Sequence, residues 1–150
     1  MPSPTRSPTH EDVPPATLAK LGLDLDDASN GDAIEHETIV ELAAERGKPV
    51  SQYYAASVLA TDVAIAAHHV VTLVFCAGVC QRWGALDCID RAAERKEAGA
   101  KIDIAVRQCL DKCEHAAVCE IRTPDGTTVL TQSSPAKIDA ALAELGATLL

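Results

Sequence analysis

Val70-Val71-Thr72-Leu73-Val74-Phe75-Cys76-Ala77-Gly78-Val79-Cys80-Gln81-Arg82-Trp83-Gly84-Ala85 is the stretch that decides the fold. Its first six residues are apolar and β-branched almost without interruption, the pattern of a strand covered on both faces. Two cysteines spaced C-x3-C follow at once, and helical periodicity then runs over 82–97 to a stop at Gly99. Ile102, Ile104 and Val106 alternate in a second strand over 101–106. That strand leads into Cys109-Leu110-Asp111-Lys112-Cys113, the same C-x3-C spacing again. Strand, helix and strand in this order form a βαβ unit.

Downstream, 118–122 and 127–131 flank Thr123-Pro124-Asp125-Gly126, in which Pro presets one φ and Gly accepts a positive one. This predicts a β-hairpin. Ser134-Pro135 opens a last helix, with Ser as cap and Ile138, Ala141, Leu142 and Leu145 on one face. Upstream, Ile34, Ile39, Leu42 and Ala43 recur at helical spacing before Gly47 and Pro49. Ser51 then caps a second helix carrying Tyr54, Ala55, Val58 and Leu59 up to about Asp62. Residues 1–15 are proline-rich and lack apolar periodicity. Leu18, Leu21, Leu23 and Leu25 form a short apolar segment, and the acidic run 26–32 reads as a loop. The expected organisation is a disordered or weakly structured tail and loop over 1–32, a helical hairpin over 33–69 and an α/β domain over 70–150.

Composition narrows the function. The chain has 150 residues with a formal charge of -9, 47% hydrophobic residues, one Trp, one Phe and two Tyr. An acidic chain so poor in aromatic rings offers neither the charge nor the stacking surface of a nucleic-acid reader. No apolar run reaches the roughly 20 residues of a membrane span, because His68-His69 interrupts the longest one. The amino-terminal residues carry neither a signal-peptide centre nor an Arg-rich transit helix, so the expected compartment is the cytoplasm, where thiols stay reduced.

The paired cysteines carry the chemistry. Adjacent parallel strands lie about 5 Å apart and end on one sheet edge, so Cys76, Cys80, Cys109 and Cys113 can converge there. Thiolates gathered in one place repel one another unless a soft cation, iron in a cluster or zinc, holds them. Two bland readings stand beside this one. Buried cysteines also act as small core residues, and twin C-x3-C motifs also staple helical hairpins, although here each motif follows a strand. Cys88 is an alternative ligand to Cys80. With a helix opening near Arg82, however, Cys88 falls about two turns in, roughly 10 Å from its mouth, which favours a core role. Cys119 is mid-strand and reads as core.

The run from Phe75 through Cys76, Cys80, Gly84 and Ala85, with Cys109, Cys113, the Pro124-Asp125-Gly126 turn and a final helix, resembles the thioredoxin-like [2Fe-2S] ferredoxins. The nearest branch is the NuoE-type subunit of NADH:quinone oxidoreductase, also found in NAD-linked hydrogenases and formate dehydrogenases. The similarity spans about 33–147. The first pair is one residue closer than that family's usual spacing, and its aromatic pair before the first strand is replaced by Val58-Leu59-Ala60. The resemblance implies a thioredoxin-like domain after a helical part and a [2Fe-2S] cluster on Cys76, Cys80, Cys109 and Cys113. It also implies a non-catalytic electron-transfer role beside a flavin-bearing, NAD(H)-binding subunit. No dinucleotide fingerprint or P-loop occurs in the chain itself. The alternatives are a stand-alone ferredoxin, a metal sensor or a zinc-bound interaction module. A thiol oxidoreductase ranks last, because no close C-x-x-C dithiol is present.

Overall fold

The computed structural model describes residues 10–108 and 116–145. Four strands form one mixed sheet: β1 (Val71–Cys76), β2 (Ile102–Arg107), β3 (Cys119–Thr123) and β4 (Gly126–Leu130), in the order β2-β1-β3-β4. β1 runs parallel to β2, with Val71 opposite Ile102 and Cys76 opposite Arg107. Parallel neighbours need a crossover, and helix α4 (Ala85–Glu97) supplies it. β3 pairs antiparallel with both β1 and β4. The expected hairpin turn is present: Asp125 N donates to Thr123 Oγ1 at 3.2 Å, and Gly126 takes φ +140°, where a side chain would be strained. Among the described residues the fold is mixed α/β, as the order of elements predicts, and it carries five α-helices.

Alternation along β1 divides the interior in two. Val71, Leu73 and Phe75 join Ile102, Ile104, Cys119 and Ile121 in the main core. Against them lie Cys88, Ile89, Ala92 and Ala93 of α4, Ile138 and Leu142 of α5 (Pro135–Glu144), and Tyr53 to Ala56 of α3 (Val50–Leu59). Cys76 falls on the alternate parity. It belongs to a separate small cluster with Cys80, Trp83, Ala85, Ala116, Ala117 and Val118.

Three expectations are corrected. Residues read as a weakly structured segment and loop form helix α1 (Pro15–Ser29), which buries Leu18, Leu21 and Leu25. Pro15 suits its first turn. Gly22 lets the helix approach closely, since a Cβ there would lie 3.0 Å from Ala60 Cβ. The part of the tail that is described, from His10, also makes defined contacts: His10 N donates to Arg82 O at 3.1 Å.

Second, Ser51 lies inside α3, whose N-cap is Pro49. Asp90 of α4 supplies the capping carboxylate instead, taking Ser51 N and Ser51 Oγ at 2.8 Å each. Third, the helix expected from Arg82 starts at Ala85, because Gly84 at φ +88° separates it from a 3-10 turn, Val79–Trp83. Cys88 therefore sits in the first turn of α4.

Helix α2 (His36–Arg46) ends at Gly47 in the left-handed region, as its sequence predicts. It is joined to α3 by His36 Nδ1 and Tyr54 Oη, 2.6 Å apart. Burial holds His36 below its ordinary pKa, with Lys96 adding to the effect, and so favours the neutral ring. The Ser134 hydroxyl accepts Lys137 N at 3.3 Å and caps α5. His68 and His69 are exposed. Both backbone amides donate to the buried Asp103, at 2.9 and 2.7 Å, and His68 Nε2 meets Glu35 at 2.7 Å. None of the described helices is long and apolar enough to cross a membrane.

Candidate metal centre

Strand β1 ends at Cys76, and the chain turns through Ala77 and Gly78 into the 3-10 turn that carries Cys80. The ladder to β2 continues one step past the strand, Ala77 N donating to Arg107 O at 2.8 Å. The first loop is thereby pinned beside the chain that leaves β2 toward the second cysteine motif. Cys76 Sγ approaches Gln108 O at 3.4 Å, and Gln108 Nε2 donates to Val58 O of α3 at 3.3 Å. Gln108 thus links the helical part to the loop.

Gly78 is required by close approach. A Cβ added there would lie 2.3 Å from Gln108 O, a backbone atom that cannot swing aside. The amino-terminal segment covers the loop from the other side. Arg82 pairs with Asp12 at 3.2 Å, His10 Nε2 lies 2.7 Å from Asp87, and the His10 ring rests against Gly84.

Cys76 and Cys80 are both 1% exposed and share the small apolar cluster with Trp83. The structure thus brings the two members of the first pair into one buried apolar cluster at the end of a strand. Cys109 and Cys113 lie outside the described residues. Among the described residues, no group of three or more His, Cys, Asp or Glu is arranged to hold a metal ion.

Cys88, the alternative ligand, is not brought to this cluster. It lies in the main core, and burial pushes its thiol up to about 12. Cys119 shares that core, its thiol raised by burial and then by the neighbouring Cys88. Thiols so raised stay protonated and are poor nucleophiles.

A hollow of about 600 Å³ between α2 and the end of α4 is lined by His36, Glu37, Glu41, His69, Lys96 and Glu97, among others. It holds none of the cysteines, and its mixed charges select no one ligand class. Sequence reasoning missed Gln81, Gln108 and the segment from His10 to Val13. The one signal for that segment is Val13, a lone apolar residue in a polar, proline-rich run that proves to be 7% exposed.

No model of a known protein family matches the sequence, and no curated protein matches it.

Proposed function

We propose that the chain is an electron-transfer subunit that carries one [2Fe-2S] cluster on Cys76, Cys80, Cys109 and Cys113. It would serve a multisubunit NAD(H)-linked oxidoreductase and exchange single electrons with a flavin-containing partner. The observation that carries this reading is the buried apolar cluster shared by Cys76 and Cys80 at the end of β1, with Arg107, two residues before Cys109, in register with Cys76. The donor set fits the group: thiolates are the ligands such clusters take. The sheet order β2-β1-β3-β4, with one parallel and two antiparallel pairs and a last helix returning to the core, supports a thioredoxin-like domain.

When bound, the cluster supplies a site that accepts and returns one electron at a time. The chain's own residues would hold it and exclude water: the two described thiols lie in one buried apolar cluster with Trp83, Ala85, Ala116, Ala117 and Val118. Anaerobically purified protein is expected to be reddish-brown, with about two iron and two acid-labile sulfides per chain. Stoichiometric zinc without visible absorption would overturn the proposal in favour of a zinc-bound interaction module.

A further inference from the structure

Gln81 directly follows Cys80 and is 5% exposed, an expensive place for a carboxamide unless both of its polar atoms are satisfied. They are, and in opposite senses. Its Nε2 donates to Ala77 O at 2.5 Å, while its Oε1 accepts Val13 N at 2.9 Å. A carbonyl on one side and an N–H on the other settle which way the amide faces. The backbone N of Gln81 also donates to Gly78 O at 3.1 Å.

The residue after Cys76 is therefore tied to the residue after Cys80, and the loop is closed on itself. On its other side the Ala77 N–H is committed to Arg107 O. The N–H of Gly78, between the anchored Ala77 and Gly78 carbonyls, has no acceptor among the described residues.

We propose that Gln81 is the positioning residue of the cysteine loop: by locking the Ala77 carbonyl with its side chain it keeps the Gly78 amide open as a donor to an anionic sulfur ligand. This rests on the cluster reading of the site. Amide donors to cluster sulfurs raise the reduction potential, and outer partners of metal ligands typically change affinity by about 10- to 100-fold.

Two substitutions separate the bonds. Gln81→Glu keeps an acceptor for Val13 N but has no donor for Ala77 O; Gln81→Met fills the space with neither, and adds no charge. In the full-length chain both should lower the midpoint potential and alter the electron paramagnetic resonance g-values of the reduced cluster. Both should also speed bleaching by an iron chelator about tenfold. In metal-free protein, both should speed alkylation of Cys76 and Cys80 up to about tenfold, the weight of one lost hydrogen bond, while Cys88 stays protected.

Wild-type potential, g-values and bleaching in both variants would overturn the proposal, even if their melting temperatures fell. If the wild type takes up no iron or sulfide but both variants still expose Cys76 and Cys80, the cluster reading fails while the loop-locking role of Gln81 holds. Unchanged alkylation as well would end both.

Discussion

At Gly78 the backbone of the cysteine loop touches the backbone that leads out of β2. Gly78→Ala would force its Cβ to 2.3 Å from Gln108 O, so one of the two chains must move. Overpacking of this kind costs about 1–3 kcal/mol. The expected result is a lower melting temperature together with reduced iron loading, measured on the same preparation.

The cysteines divide by environment in a way single substitutions can read. Cys76→Ser and Cys80→Ser should abolish or greatly alter the visible spectrum of the loaded protein, whereas Cys88→Ser and Cys119→Ser should leave it largely intact. Loss at Cys88 with retention at Cys80 would reverse the ligand assignment.

Cys88 also makes a prediction about alkaline stability. Its thiol ordinarily ionises near 9 and burial pushes this up to about 12. Between these values the unfolded chain releases a proton that the native chain retains, so stability falls as pH rises through that window. Denaturant melts at pH 8 and pH 10.5 should show a larger alkaline loss for the wild type than for Cys88→Ala. Cys88 and Cys119 carry no sequence signal that distinguishes them from ligands except position within an element. Their exclusion from the small cluster is a matter of which face each presents.

Among the elements, the strands and most helix ends were legible because their signals are local: β-branched runs, Gly47 and Gly99 as stops, Ser134-Pro135 as a start. α1 was not. Its leucines recur at helical spacing, but the acidic stretch and prolines around them mask it. The helix is held by packing on α3, where Gly22 meets Ala60.

The start of α3 shows the same dependence on a distant residue. Ser51 looks like a cap in sequence, yet Asp90, far along the chain, takes both its amide and its hydroxyl. Burial raises the Asp90 pKa despite these bonds, so the group is expensive to hold there unless Ser51 is present. Asp90→Ala should cost about 1–2 kcal/mol, the usual weight of a lost cap, and the loss should show in urea melts. Hydrogen exchange should rise first in the first turn of α3 if the contact acts locally.

On the scale of the whole molecule, the helical part and the sheet share one interior. α3 lies over α4 and β2, Gln108 reaches Val58 beside the cysteine loop, and Gln81 ties that loop to Val13 just ahead of α1. Assembly contacts made by the helices would therefore bear directly on the loop. Purification from the native host under anaerobic conditions should recover the chain with a flavoprotein. Recovery as a monomer carrying iron and sulfide would instead favour an independent ferredoxin.

What the sequence by itself determined is the order of elements from β1 onward and the placement of the first C-x3-C pair at a strand exit, since strand period, turn chemistry and cysteine spacing are all local properties. Only the tertiary structure decided which of the described thiols meet. The parity of β1 turns Cys76 away from Phe75 into the small cluster with Cys80, while Cys88 on α4 faces the main core. The same is true of what secures the loop. Gln81, Gln108 and Val13 come together only through chain folding, and no periodicity marks a residue whose partners are backbone atoms of other segments.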